Sequence, residues 1–260
     1  LVCSDGISLV EKAFDSVETI AYTFIEFNAE IKSNILLYKA ITSGYSPKLF
    51  EVLKKRNLNL FSSFENGSTL LHIAARFSRG EIVSLLILSG LDVNKPDNNG
   101  ASPLHAACTG SIGILQVSGN QQTQEIPVYN ASLDTVRRLY FAGAYVNSKD
   151  NSGRIPLHFA SKYGYLDIAE FLVSKGADVN AKDNFGRISL HFAAEGNTID
   201  IQGSGYQPYH VDNPSLADFL INNNAAVNAF DNAGDTPLSI AYKAGASADL
   251  IALLISRGGK

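Results

Sequence analysis

The chain has 260 residues, 45% of them hydrophobic and 18% charged, with a formal net charge of −4. Those proportions exclude a disordered chain, and 21 glycines with 8 prolines exclude collagen-like and low-complexity classes. The acidic balance argues against nucleic-acid binding through bulk charge, two cysteines are too few for a disulfide framework or a four-thiolate zinc site, and no apolar run approaches the ~20 residues that span a bilayer. Reduced Cys3 and Cys108 fit a cytoplasmic setting. The start at Leu1 and the lack of any methionine predict a piece of something longer.

In chain order, residues 1–32 come first. Ile7, Val10, Phe14, Val17, Ala21, Phe24 and Ile31 recur at three- and four-residue steps, broken at Asn28, which predicts a helix over ~8–31. Its apolar stripe either covers the end of the domain that follows or forms a coiled-coil seam with a partner. Asp15, Glu18 and Glu26 leave no basic face for lying on a membrane. Residues 33–64 follow, with Leu37-Tyr-Lys-Ala40, a second apolar run at Leu49, Val52 and Leu53, and Asn57-Leu-Asn-Leu60.

Residues 65–260 hold five aligned segments. They are Asn66-Gly-Ser-Thr-Leu-Leu-His-Ile-Ala-Ala75, Asn99-Gly-Ala-Ser-Pro-Leu-His-Ala-Ala-Cys108, Ser152-Gly-Arg-Ile-Pro-Leu-His-Phe-Ala-Ser161, Phe185-Gly-Arg-Ile-Ser-Leu-His-Phe-Ala-Ala194 and Ala233-Gly-Asp-Thr-Pro-Leu-Ser-Ile-Ala-Tyr242. Their glycines are 33, 53, 33 and 48 residues apart, so a 33-residue unit recurs with 20 and 15 extra residues in the second and fourth copies. Pro103, Pro156 and Pro237 suit a first helical turn, and Thr69, Ser102 and Thr236 can cap it. A second helix shows in Ile82, Val83, Leu86 and Ile87, and again in Ile168, Ala169, Leu172 and Val173. Gly90, Gly143, Gly176 and Asn224 suit left-handed helix ends, and Asp97, Asp150, Asp183 and Asp231 open turns that close on the next glycine.

This pattern resembles the ankyrin repeat family. The resemblance implies an all-α solenoid of stacked helix pairs with short turn hairpins, and makes 33–64 a degenerate capping repeat. It implies a non-catalytic protein-interaction module that binds a partner protein on a concave face. The alternative is the targeting arm of a larger enzyme, bacterial effector or toxin, since such arrays accompany domains of those kinds. No cofactor, metal, small-molecule substrate, nucleic acid or membrane is expected. His72, His105, His158 and His191 share one repeat position, which argues against catalysis and, through the family, for a structural role tying neighbours together. Cys108 reads as a small buried side chain.

In the register of the resemblance, the partner-facing positions are Arg76, Phe77, Asn98, Asn99, Asn151, Arg154, Lys162, Tyr163, Phe185 and Arg187, with Asn232 and Asp235. Their arginines and lysine predict a locally basic surface and a partner with an acidic one. The closing Asn94 and Asn180, each eight residues after a leucine (Leu86 and Leu172), resemble family sites of asparaginyl hydroxylation.

The inserted stretches, ~109–131 and ~197–214, fall between the two helices of a repeat. Each has an apolar-alternating arm, a Gly/Ser/Asn turn and a second arm, which predicts β-hairpins at ~114–128 and ~199–211. Either they form a second contact surface through Tyr129, Tyr206, Tyr209 and His210, or they shield the edge of the array. The chain ends at Gly258-Gly-Lys260 without an evident polar cap.

Overall fold

The computed structural model describes residues 38, 41–42, 60–119, 122–199 and 209–260, with the backbone alone for 112–119, 122–130, 198–199 and 209–211. The helix expected over ~8–31, most of the 33–64 repeat, and Tyr206 lie outside the described residues.

Ten helices are described, in five pairs. The first helices are α1 (Leu70–Arg76), α3 (Pro103–Thr109), α5 (Pro156–Lys162), α7 (Ser189–Glu195) and α9 (Pro237–Ala244). The second helices are α2 (Gly80–Leu88), α4 (Leu133–Phe141), α6 (Leu166–Ser174), α8 (Pro214–Asn222) and α10 (Ala248–Ser256). Each first helix packs on the next first helix, each second helix on the next second helix, and each pair on itself. Helices of seven to nine residues are too short to persist alone in water, so this two-layer stacking is what makes them helical.

The core follows the repeat. Leu71, Leu104, Leu157 and Leu190 are sealed between first helices, and Ala74, Ala107, Ala160, Ala193 and Ala241 let those helices approach closely. Leu86, Leu139, Leu172, Leu220 and Leu254 occupy one register of the second helices and are all fully buried. Residues before the first complete pair join the same core: Ile41 is buried, Arg79 donates from Nε to the Ile41 carbonyl at 2.9 Å, and the Tyr38 and Phe64 rings meet edge-on at 5.6 Å.

Both insertions are hairpins between the helices of a pair. Strand β1 (Ser111–Gly119) pairs antiparallel with β2 (Gln122–Asn130), from Ser111 opposite Asn130 to Gly119 opposite Gln122. The hairpin is longer than the ~114–128 expected, because pairing starts directly after Gly110 ends α3 and runs through Pro127. Strand β3 (Asn197–Ile199) pairs with β4 (Tyr209–Val211). The helix after it starts at Pro214, within the span assigned to the insertion, because Asn213 accepts the Leu216 N–H and caps it.

Thr69, Ser102 and Thr236 each stand in a capping box, with the side chain facing the N3 backbone N–H, and the Thr236 hydroxyl accepts that N–H from Ser239 at 3.2 Å. The Thr69 and Ser102 hydroxyls also lie 2.9 Å from Nδ1 of His72 and His105.

Candidate interaction surface

The tip of each repeat is built by its aspartate. Asp150 Oδ1 accepts from the backbone N–H of Ser152 (2.8 Å) and Arg154 (2.9 Å), and Gly153 N–H closes the turn on the Asp150 carbonyl at 2.8 Å. Asp97, Asp183 and Asp231 do the same in their copies. Gly153 sits at φ +76°, and a Cβ there would stand 2.4 Å from Asn184 Oδ1 of the next repeat. Both the left-handed backbone and the close approach therefore demand glycine.

That asparagine belongs to a ladder running along the tips. Asn98, Asn151, Asn184 and Asn232 each donate their backbone N–H to a tip carbonyl of the preceding repeat, at 2.8 to 3.0 Å. Their side-chain Nδ2 atoms donate to Glu65, Asn98, Asn151 and Asn184 carbonyls at 3.0 to 3.1 Å. A second ladder joins the repeat ends. Asn94 donates to the Gly143 carbonyl at 2.9 Å and accepts from Tyr145 N–H at 2.9 Å; Asn147, Asn180 and Asn228 repeat the pair of bonds on the following repeat.

The histidines form a third set of ties. Nδ1 of His72, His105, His158 and His191 accepts the backbone N–H of the residue three before it, at 2.9 to 3.1 Å. A backbone N–H can only donate, so Nδ1 is bare and Nε2 carries the proton. Nε2 then donates to the carbonyl of Ala101, Arg154, Ala181 or Ala229 in the next repeat, at 2.9 to 3.0 Å. Burial lowers the pKa of all four and pushes His158 down to about 4, which keeps the rings neutral. In the fifth copy Ser239 takes the place, and its hydroxyl accepts the Thr236 N–H at 2.9 Å. Cys108 is fully buried, and desolvation pushes its thiol up, away from the reactive thiolate.

The proposed partner-facing residues separate into groups. Arg76, Asn99, Asn151 and Arg154 line one groove of about 310 Å³ floored by Ile73, Ala106 and Phe159. Phe185, Arg187 and Asn232 line a second hollow of about 520 Å³ at the later tips. Phe77, Asn98, Lys162 and Tyr163 line neither; Phe77 is the half-buried C-cap of α1, and Tyr163 stacks on Tyr165 at 6.1 Å. The amides of Asn98 and Asn151 are engaged in the tip ladder, and those of Asn94 and Asn180 in the end ladder. Only the backbone is described for Tyr129, Tyr209 and His210.

Most of the basic charge on this face is internally matched. Arg154 reaches Asp150 at 2.8 Å and covers the Phe159 ring at 4.7 Å. Arg187 is 3.4 Å from Asp183, 3.3 Å from Glu195, and 4.3 Å from the Phe192 centroid. Lys162 lies 3.9 Å from Glu195. Arg76 is exposed and forms no ion pair among the described residues. Asp235, bonded by Lys243 and then by Ser239, has its carboxyl held below the usual range. Among the described residues no group of three or more His, Cys, Asp and Glu could hold a metal, and no helix is long and apolar enough to cross a membrane.

The stacked helix pairs, glycine tips and histidine ties define a helical repeat array of the kind that recognises other proteins. A sequence profile described as "Ankyrin repeats (3 copies)" matches residues 36–117 and 126–202, and the chain belongs to the ankyrin repeat family. Among similar proteins, Tyrosine-protein kinase Shark of Drosophila melanogaster is 29% identical over 153 residues, covering 54% of this chain and 16% of the kinase. Neurogenic locus notch homolog protein 1 of Xenopus tropicalis is 31% identical over 121 residues, covering 41% of this chain and 5% of that protein. Alpha-latrotoxin-Lt1a of Latrodectus tredecimguttatus is 30% identical over 156 residues, covering 52% of this chain and 11% of the toxin. The chain thus spans at most about a sixth of these relatives. Ankyrin repeats are generally a non-catalytic interaction fold, and their presence implies a protein-protein interaction module.

Proposed function

We propose that the partner protein lies along the tips and first helices of the early repeats, with an acidic group on Arg76. The observation that carries this reading is the groove between α1, α3 and α5, which has an apolar floor and whose tip backbone is already satisfied by the Asp and Asn bonds. A rigid surface of this sort loses little conformational entropy on binding. Arg154 and Arg187 shape the face instead of supplying net charge, because each is neutralised by its own tip aspartate. The β1–β2 hairpin adds a second contact.

The test is a pull-down with quantitative mass spectrometry, comparing the native chain with Arg76→Glu. Specific partners should fall at least about tenfold in recovery at low salt, about 1.4 kcal/mol. Equal recovery of every partner rejects the groove. Replacing residues 111–130 by the three-residue connector of the third repeat asks the same of the hairpin, and unchanged binding there favours an edge shield. A second reading rests on the lengths of the relatives: the array is the recognition arm of a longer protein whose activity lies outside residues 1–260.

A further inference from the structure

The second-helix face carries a patch that the groove does not use. Leu88 and Phe141 are the last residues of the adjacent helices α2 and α4, and they are 83% and 75% exposed. Phe141 is joined by Tyr140 at 5.4 Å and by Phe171 of α6 at 6.5 Å, and Tyr140 meets Phe171 edge-on at 5.5 Å. Single exposed apolar side chains are ordinary, but rings in mutual contact across neighbouring helices are a contiguous patch. It is also local: the residues that stand in Phe141's place on α6, α8 and α10 are Ser174, Asn222 and Ser256.

Two cations stand over these rings. The Arg137 guanidinium is 5.6 Å from the Phe171 centroid, and the Lys175 ammonium is 5.7 Å from Tyr140 and 5.5 Å from Phe171. Both residues are exposed and neither forms an ion pair among the described residues, although Glu170 on α6 is also exposed. Elsewhere Arg138, Arg154, Arg187, Lys243 and Arg257 each have a carboxylate. The rings hold the two positive charges in place while leaving their outer sides open to an anion.

We infer that the patch of Leu88, Tyr140, Phe141 and Phe171, crowned by Arg137 and Lys175, is a second docking surface for an acidic peptide segment with an aliphatic or aromatic anchor. Charge complementarity selects this occupant. The anchor covers Phe141 and Leu88, and the carboxylates meet Arg137 and Lys175. The site is independent of the groove, so each can fail alone.

The experiment selects from a randomised peptide display library on the full chain, counter-selects on Phe141→Ser, and measures the enriched peptides by fluorescence anisotropy. Serine stands at the equivalent place on α6 and α10, so the variant keeps the fold, which its thermal melt checks. Enriched peptides should pair Asp or Glu with Leu, Ile or Phe. Their affinity should drop at least about tenfold in Phe141→Ser and in Arg137→Glu/Lys175→Glu, fall with salt, and stay unchanged in Arg76→Glu. No enrichment, a neutral or basic consensus, or affinity lost instead in Arg76→Glu overturns the inference. So does binding of phosphatidylserine vesicles through these residues without peptide binding, or dimerisation by sedimentation that Phe141→Ser abolishes.

Discussion

The histidine ties make the array acid-sensitive over a defined range. His158 is fully buried, and its pKa is pushed down from 6.5 to about 4. Its Nδ1 is occupied by the Ile155 N–H, so a proton can enter only after that bond breaks. Between about pH 6.5 and pH 4 the unfolded chain holds the proton and the folded chain does not, so stability falls as pH falls. The contribution is intact above the unfolded value and levels off below about pH 4. The drop from 6.5 to about 4, at about 1.36 kcal/mol per pH unit, gives roughly 3 kcal/mol from this one ring. His72, His105 and His191 are shifted in the same direction and add to it. The assay is urea unfolding at several pH values for the native chain and for His158→Asn. Carboxylate protonation is common to both, so the difference between the curves isolates the ring. The native chain should lose roughly 3 kcal/mol more than the variant on going from about pH 7.5 to about pH 4. Parallel curves, or an NMR titration placing His158 near 6.5, refute the reasoning.

Gly153→Ala should destabilise by at least about 1–3 kcal/mol in chemical unfolding, because it combines a left-handed backbone with a contact at 2.4 Å to Asn184. Leu172→Ala should cost about 2–5 kcal/mol by the same measure, since it opens a cavity between α4, α6 and α8. In a Cys3→Ser background, a thiol reagent should label Cys108 only as fast as the chain opens, and the rate should rise steeply with sub-denaturing urea. Excising residues 111–130 should leave the helical circular dichroism and the unfolding midpoint nearly unchanged, because α3 and α4 are held by the core and not by the hairpin.

The repeat was legible because its physics sits in single residues. Glycines at positive φ, aspartates that accept two turn N–H groups, and leucines in the second-helix register each leave a mark at fixed spacing. The structural role of the four histidines was legible for the same reason, together with the family resemblance. The tip ladder was missed, although Asp-Asn recurs at 97–98, 150–151, 183–184 and 231–232. Such a recurrence marks a bond between copies more than it marks a contact with a partner. The neutralisation of Arg154 and Arg187 also had a signal, an aspartate four residues upstream of each. Helical reasoning did not apply to that spacing, because the pair spans a turn. The patch around Phe141 was not legible: Phe141 and Phe171 meet, with Leu88 exposed at the end of the neighbouring α2, only once helices from different repeats are aligned.

The asparagine bonds at the repeat ends have a practical consequence. Asn94 reaches Gly143 across a copy carrying twenty additional residues, and Asn147 reaches Gly176 across one carrying none, yet the two distances are 2.9 and 2.8 Å. The pitch is held by asparagine side chains bonded to the backbone of the following repeat, away from the interhelical loops. Those loops are therefore free addresses, where segments can be exchanged, lengthened or grafted while the spacing of everything else along the array stays the same.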